Sequence, residues 1–268
     1  MMKVYVAELE LHGVLLFTTE QRPSLASEGG AMMTTGHYIH NYPLIYGFAN
    51  RAIESYAVIP SLHFLSYRDL EKSKFKPKLA KEPLHYGFVE EQIKKLLEGR
   101  EAIYAYPAFP VKITPKKFFM QAKGYGYVEF RGALKTVYPR LEHYIALVPP
   151  TKFKTIIVTS NIVLPRTLYI RIGMKRMGLF KVYLREAEIH EQTTKYPWTS
   201  IPVNLHDTEL FGYEIMDAMK VLETRSKPLK KPLASIIGYV RTTKLYLVKA
   251  GKEEYRIPLP ARLVGEKK

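Results

Sequence analysis

The sequence predicts an α+β fold with a mainly antiparallel sheet. Three observations lead to it: an alternating segment at the start of the chain, two segments of helical spacing before residue 100, and a long remainder that is rich in strands. Strands that follow one another without regularly intervening helices usually pair antiparallel. A chain of 268 residues is long enough to bury a full core, as one large domain or two small ones.

The first hundred residues contain one predicted strand and two predicted helices. Residues 3–11 alternate between an apolar face and a face that ends in Glu8 and Glu10, which is typical of a half-buried strand. Apolar residues recur at helical spacing over 43–57, with a proline in the first turn. A second helix is predicted over 86–98, where a glycine ends it.

The remainder of the chain is predicted to be mostly extended. Five segments have the pattern of strands: 102–106, 111–114, 125–130, 141–148 and 155–164. A hairpin of 167–172 with 179–188 follows. A third helix is predicted to start near Asp207, with these residues at core spacing: Phe211, Ile215, Ala218, Met219 and Leu222. The tail, 233–263, predicts two or three short strands. A ferredoxin-like unit is one outcome of this order.

The net positive charge of the chain comes from its downstream part. Residues 1–110 carry 12 basic and 12 acidic side chains, so residues 111–268 carry the whole formal net charge of +16. Over 111–182, 14 Lys and Arg accompany only Glu129 and Glu142, with ten Tyr and Phe among them. Because cations neutralise phosphates and rings stack on bases, this mixture predicts a nucleic-acid partner. An anionic membrane surface is less favoured, since no basic amphipathic helix is predicted.

Composition excludes several classes of protein. The absence of cysteine excludes disulfides, thiolate zinc sites and cysteine nucleophiles. There is no apolar run near the length of a membrane span and no signal-peptide pattern at the start, so a cytoplasmic protein is expected. The many lysines and few asparagines also fit a thermophilic, archaeal-type source.

The sharpest local pattern is Lys-Gly-Tyr-Gly-Tyr-Val-Glu-Phe at 123–130. It resembles the first ribonucleoprotein signature of RNA-recognition motifs. On a strand, Tyr125 and Tyr127 point to the same side, where bases stack on them while Lys123 holds a phosphate. The alternative is a glycine-rich hairpin whose tyrosines pack internally, because the helix and strand expected after a recognition motif do not follow.

The hairpin at 167–188 is the second candidate binding surface. Its alternation predicts an apolar face towards the core and a basic, aromatic face, with Lys175 and Arg176 at the turn. The basic face comprises Tyr169, Arg171, Lys181, Tyr183 and Arg185. The alternative is an ordinary solvated face, but the tyrosines among the cations favour binding.

Catalytic and metal-binding patterns are not found in the sequence. None of the eight histidines has zinc-ligand spacing, and there is no phosphate-binding loop, nucleophile elbow or acid-rich cluster. We therefore expect no catalytic residue, no metal and no cofactor. A metal-independent ribonuclease needs only a base and an acid, so His40 with Tyr42 remains an alternative.

Four short motifs in order resemble one protein family. They are His-Asn-Tyr within 39–47, Tyr-x-x-Pro-Ala at 104–108, Arg-x-Gly within 168–173 and Pro-x-Asn-x-x-Asp at 202–207. Together they resemble the Cas-five subunit of the type I-D CRISPR effector complex, the first Csc subfamily of the RAMP superfamily. The likeness extends from residue 3 to about residue 263.

This resemblance implies a fold and a domain organisation. The implied fold is a ferredoxin-like (RRM-like) RAMP domain over 1–190 with a protruding β-hairpin thumb within 111–150. A small C-terminal region of one helix and β structure, 191–268, packs on it. The thumb interrupts the guide–target duplex.

The resemblance also implies a role in antiviral defence. RAMP proteins of this kind are non-catalytic RNA-binding subunits of the interference complex, Cascade, and cap the 5′ handle of the crRNA. They contact the backbone subunit and the large subunit, near the place where the PAM of target DNA is read. In one other subtype the Cas-five protein is an endoribonuclease that processes repeat RNA, so that alternative stays open, as does a duplex-DNA-binding module.

The predicted RNA contacts lie in three parts of the chain. We expect handle phosphates and bases to be held by Lys116, Lys117, Lys123, Tyr125, Tyr127, Arg131, Tyr169, Arg171, Lys175 and Arg176. His40, Asn41 and Tyr42 either touch RNA or brace the first helix, and bracing is favoured. The lysine-rich loop at 72–81 has no assigned contact.

Overall fold

The computed structural model describes residues 1–16, 32–34, 37–51, 86–122, 140–173, 176–192, 198–204, 207, 214–221, 236–241 and 245–260. These residues contain two helices, α1 (Asn41–Phe48) and α2 (Tyr86–Leu97). They also contain fourteen strands, which are β1 (Met2–Leu11), β2 (Met32–Thr34), β3 (Ala102–Ala105), β4 (Phe109–Lys112), β5 (Pro115–Ala122), β6 (Arg140–Leu147), β7 (Lys152–Ser160), β8 (Thr167–Ile172), β9 (Gly178–Gln192), β10 (Val203–Asn204), β11 (Glu214–Val221), β12 (Ile236–Arg241), β13 (Leu245–Ala250) and β14 (Glu253–Ile257). The predicted α+β class is confirmed.

The largest sheet has eight strands in the described part of the chain. Its order is β14-β13-β9-β1-β7-β3, with β4 paired to β7 and β8 paired to β9. All of these pairings are antiparallel. β1 pairs along most of its length with β7 on one side and with β9 on the other. The strand predicted at the start of the chain is therefore the centre of the sheet.

Apolar residues are buried on both faces of β1 at its N-terminal end. Tyr5 and Ala7 lie on one face and Val4 and Val6 on the other, all at most 3% exposed. One core cluster joins them to residues of α1 and α2 and to residues of β10, β12, β13 and β14. The sheet is thus covered on both faces here. The half-buried character predicted for this strand applies to its other end, which carries Glu8 and Glu10.

Both predicted helices are present. α1 begins at Asn41, where the His40 side chain accepts a hydrogen bond from the Tyr42 backbone N–H, and it ends at Phe48, earlier than predicted. Residues 52–57 of that prediction lie outside the described residues. α2 ends at Leu97, and Gly99 follows with a φ of 66°, a left-handed conformation that glycine adopts without strain.

Two smaller sheets accompany the main one. β5 and β6 form an antiparallel hairpin, and β2 adds to β6 as a parallel strand. This second sheet is tied to the loop after β1, because Leu15 and Leu147 exchange two backbone hydrogen bonds of 2.8 and 2.9 Å. The third sheet has the order β10-β12-β11.

The helix predicted to start near Asp207 is wrong for the residues that the structure describes. Glu214–Val221 form strand β11, which pairs antiparallel with β12. The register shifts between Met216 and Lys220, and such irregularities break the strict alternation by which a strand is recognised. Pairing with β12, a tertiary effect, overrides the helix-like spacing. The short strands β2 and β10 have too few residues to show any alternation.

Candidate nucleic-acid interface

The predicted hairpin is formed by β8 and β9, and its side chains alternate between two faces. Ile170 and Phe180 are at most 3% exposed and belong to the core. On the other face Tyr169 is 61% exposed and Tyr183 is 38% exposed, and Arg171 is exposed as well. The predicted division into an apolar and a polar face is confirmed, whereas RNA binding by the polar face stays a prediction.

Strand register extends this exposed face across five strands. Lys112 of β4 lies opposite Lys152 of β7, which lies opposite Glu10 of β1. Glu10 lies opposite Lys181 of β9, which lies opposite Tyr169 of β8. Directly opposed side chains share one face of a sheet. We call these five residues the cross-strand row, which at about 4.8 Å per strand is about 19 Å long.

Carboxylates lie among the cations within and beside this row. The Lys152 ammonium lies 3.4 Å from a Glu8 oxygen and 3.6 Å from a Glu10 oxygen. Its hydrogen bond to Glu8, reinforced by the charge of Glu10, raises the pKa of Lys152. The Lys181 ammonium lies 5.0 Å from the centroid of the Tyr183 ring, and a hydrogen bond to Tyr183 raises the pKa of Lys181. Both lysines are therefore positively charged.

Two further cations of this face are paired with Glu253, at the start of β14. Lys154 of β7 lies 2.5 Å from one carboxylate oxygen, and Arg185 of β9 is paired with the other. The Tyr255 hydroxyl donates to the same carboxylate at 3.2 Å. The hydrogen bond from Lys154 is the main cause that lowers the pKa of Glu253. The hairpin face is thus a mixed-charge surface, which sequence reasoning missed because its carboxylates come from distant strands.

The turn of the hairpin is held by close packing. Leu15 is fully buried, and its side chain lies 2.9 Å from where a Cβ of Gly173 would be and 2.7 Å from that of Gly178. Gly173 also has a φ of 83°, so a larger residue is excluded by space and by backbone conformation. This packing fixes the turn that presents the exposed Arg176. Lys175 lies outside the described residues.

Lys116 and Lys117 are exposed on β5, in the second sheet rather than in the row. As neighbours on a strand they point to opposite faces. The Lys116 ammonium lies 5.6 Å from the centroid of the Phe118 ring. Four other predicted contacts lie outside the described residues: Lys123, Tyr125, Tyr127 and Arg131. The loop at 72–81 also lies outside them.

The environment of His40, Asn41 and Tyr42 differs from that of the row. Asn41 is fully buried, and its side-chain amide donates to the hydroxyl of Tyr104 at 3.3 Å and to Asp207. His40 caps α1 through its ring nitrogen, and the Tyr42 hydroxyl donates to Asp207 at 3.1 Å. These contacts favour the bracing interpretation of the three residues.

Asp207 is the centre of this arrangement. The Tyr104 hydroxyl donates to it at 3.0 Å, and the Asn204 amide donates to the Asn41 oxygen at 3.1 Å. Burial, followed by the charge of Asp207, raises the pKa of Tyr104 well above its usual value, so the hydroxyl stays a neutral donor. We call Asn41, Tyr42, Tyr104, Asn204 and Asp207 the Asp207 network. Three of the four motifs singled out in the sequence meet in it.

The fourth motif packs against α1. A Cβ on Gly47 of α1 would lie 3.1 Å from the Ile172 side chain of β8. The glycine thus lets the helix approach the strand closely. The motifs that characterise this sequence therefore serve to seat α1 between the hairpin and the C-terminal part of the chain.

Metal-ligand groups and membrane spans are not found in the part of the chain that the structure describes. No three His, Asp or Glu side chains are grouped there as metal ligands are. No helix there is long and apolar enough to cross a membrane.

The sequence as a whole matches one family. A family model described as type I-D CRISPR-associated protein Cas5/Csc1 matches residues 2–262. The match extends from β1 to beyond β14, so it includes both the cross-strand row and the Asp207 network. A search of curated proteins found no match.

Proposed function

The chain belongs to the type I-D CRISPR-associated Cas5/Csc1 family, and from this premise we propose that it holds the 5′ handle of a crRNA on the exposed face of its main sheet. In this role it is a non-catalytic RNA-binding subunit of the type I-D interference complex, Cascade. The family places it in CRISPR defence, and the sheet face supplies the chemistry that RNA requires.

The cross-strand row is the observation that carries this proposal. Lys112, Lys152 and Lys181 provide three charged ammonium groups along about 14 Å of sheet. Tyr169, at the end of the row, has 61% of its surface open to a stacking base. Cations for phosphates combined with an exposed ring for bases are the two elements of sequence-tolerant binding to single strands. Arg171 extends the cationic surface along β8.

We propose the β5–β6 hairpin as the thumb of a ferredoxin-like RAMP domain. The hairpin lies within 111–150 and forms its own sheet with β2 rather than a continuation of the main sheet. Exposed Lys116 and Lys117 lie on β5, and in this proposal their charges face the phosphates of an RNA–DNA duplex. The C-terminal region, 191–268, packs on the domain through β13, which pairs with β9. Contacts with the backbone and large subunits, near PAM and target DNA, complete the proposal.

An RNA-binding assay with the purified full chain tests the proposal. Fluorescence anisotropy measures affinity for labelled handle RNA over a range of salt concentrations, for the wild type and for Arg171→Ala combined with Lys181→Ala. Losing two phosphate contacts lowers affinity about tenfold near 0.15 M salt. It also reduces the slope of the logarithm of the binding constant against the logarithm of salt concentration by about 1.4. Lys94→Ala on α2, an exposed lysine outside the row, is the matched control and leaves binding unchanged.

The same samples separate the alternatives. Unchanged binding in the double variant removes the sheet face from the site. Tighter binding of a DNA duplex than of handle RNA supports the DNA-binding alternative. Cleavage of repeat RNA in EDTA that disappears in His40→Ala supports the endoribonuclease alternative, and melting curves show whether that variant is folded.

A further inference from the structure

A carboxylate occupies the centre of the cross-strand row. Glu10 of β1 lies between Lys152 on β7 and Lys181 on β9, and its side chain is 29% exposed. Because β1 pairs with a strand on each side, the sheet itself fixes Glu10 between the two lysines. The position of Glu10 is therefore set by the same strand register that sets the positions of Lys152 and Lys181.

Phosphate binding alone does not account for a carboxylate at this place. A surface that only neutralises phosphates loses affinity when a negative charge stands among its cations. Nor does Lys152 require Glu10 as a partner, because Lys152 already contacts Glu8, at 3.4 Å. What Glu10 adds to the row is a group that accepts hydrogen bonds.

The chemistry of this acceptor restricts what can lie over it. An ionised carboxylate accepts hydrogen bonds and donates none. Phosphodiesters and deoxyribose carry no donor, so the donors of a nucleic acid are the ribose 2′-hydroxyl and the N–H groups of the bases. Glu10 lies about 4.8 Å from Lys181 along the row, on the side away from Tyr169, so the ribose of the adjoining nucleotide can reach it when a base stacks on Tyr169 and a phosphate binds Lys181.

We infer that Glu10 is a specificity-determining residue, which accepts a hydrogen bond from a ribose 2′-hydroxyl and keeps phosphate away from the centre of the row. This inference rests on the proposed RNA-binding function and deepens it. The lysines bind the phosphates of RNA and DNA alike, and base N–H groups are common to both, so selectivity for RNA needs an acceptor such as Glu10 that responds to the 2′-hydroxyl.

Two substitutions of Glu10 separate charge from acceptor chemistry. Glu10→Gln removes the charge and keeps one acceptor oxygen, whereas Glu10→Met removes both at similar length. Glu186→Gln is the matched control, because Glu186 is also an exposed glutamate paired with a lysine, at 2.9 Å from Lys3, but lies on the other face of the sheet. Anisotropy with handle RNA and with DNA of the same sequence gives the selectivity of each variant.

We expect the wild type and Glu186→Gln to bind the RNA more tightly than the DNA. In Glu10→Met this preference should fall about tenfold, because the variant binds DNA more tightly than the wild type does but does not bind RNA more tightly. Glu10→Gln falls between them. Handle RNAs with single changes identify the donor. At one position the wild type loses about tenfold in affinity, and Glu10→Met loses nothing, when the ribose becomes deoxyribose. A loss seen only when a base is replaced by an analogue without N–H groups overturns the assignment to the 2′-hydroxyl.

Other outcomes overturn the inference in distinguishable ways. If both Glu10 variants tighten RNA and DNA by the same factor and no handle position is sensitive, Glu10 acts only through its charge. If the wild type does not bind handle RNA, or if Arg171→Ala with Lys181→Ala has no effect, the proposed function fails and the inference with it. Melting curves confirm folding, and Glu10→Gln gives the comparison if Glu10→Met does not fold.

Discussion

In the cross-strand row a tyrosine ring stands in solvent beside lysines and a glutamate, whereas in the Asp207 network tyrosine hydroxyls are turned inwards onto a buried aspartate. Tyr169 is 61% exposed and Tyr104 is fully buried. The row is defined by sheet register, and the network by hydrogen bonds between α1, β3 and the segment around β10. Tyrosine thus belongs to an exposed surface, which we propose binds RNA, in one place and to a buried hydrogen-bonded joint in the other.

The comparison teaches that the most recognisable motifs and the most exposed charged and aromatic side chains lie in different places. Three motifs converge on Asp207, where four side chains of the network are buried and Tyr42 is partly buried. Of the five members of the row only Tyr169 lies in one of the motifs, and the others come from strands that no local pattern connects. Substitutions should therefore separate into effects on stability and effects on binding.

The largest expected effect is on stability. Asp207→Ala leaves three donors, on Asn41, Tyr42 and Tyr104, without their acceptor and lowers the free energy of unfolding by about 3 kcal/mol. Urea denaturation measures it. Asp207→Asn, which keeps one acceptor oxygen, loses less. RNA affinity of the folded protein stays as in the wild type, and a variant that is as stable as the wild type but binds RNA poorly would reverse the assignment of the two regions.

Particular residues show how far the sequence could predict this division. Alternation along 167–188 suffices to place Tyr169 outwards and Phe180 inwards, because neighbouring positions on a strand face opposite sides. The burial of Asn41 is not visible in the sequence, since it depends on a partner, Asp207, that lies 166 residues away. The same holds for the carboxylates, because no sequence pattern within β1 indicates that Glu10 lies opposite Lys181 of β9.

The next effect in size is on binding and belongs to the row. Tyr169→Ala removes an exposed ring on which a base stacks and lowers the affinity for handle RNA by about 2 kcal/mol, while the free energy of unfolding changes little. Thr167→Ala, an exposed position on the same strand and face, serves as the control. Tyr169→Phe keeps the ring and should keep the affinity. Equal losses in Tyr169→Phe and Tyr169→Ala would instead assign the contact to the hydroxyl.

The smallest expected effect belongs to Glu253, a carboxylate at the start of β14. This carboxylate pairs with Lys154 and Arg185 on the exposed face of the sheet, and its own pKa is lowered, first by the hydrogen bond from Lys154. A lowered pKa in the folded state contributes stability above the ordinary value of 4.5, and this contribution is lost as the pH falls through the folded pKa. The raised pKa of Lys154 sets the alkaline limit of the stability that this ion pair contributes. That contribution is present below pH 10.5 and is lost as the pH rises through the folded-state pKa of Lys154.

Glu253→Gln should therefore lower the free energy of unfolding by about 0.5–1 kcal/mol at pH 7, and the difference from the wild type should vanish only in acid below the lowered, folded-state pKa of Glu253. Denaturation at neutral and acidic pH measures this, with Glu254→Gln, the adjacent glutamate paired with Lys249, as the control. The substitution also releases two cations towards a ligand, so affinity for handle RNA should rise by about fourfold for each new phosphate contact near 0.15 M salt. A loss of stability without a gain in RNA affinity would show that the ligand surface ends at the cross-strand row and that the cations beside β14 serve the fold alone.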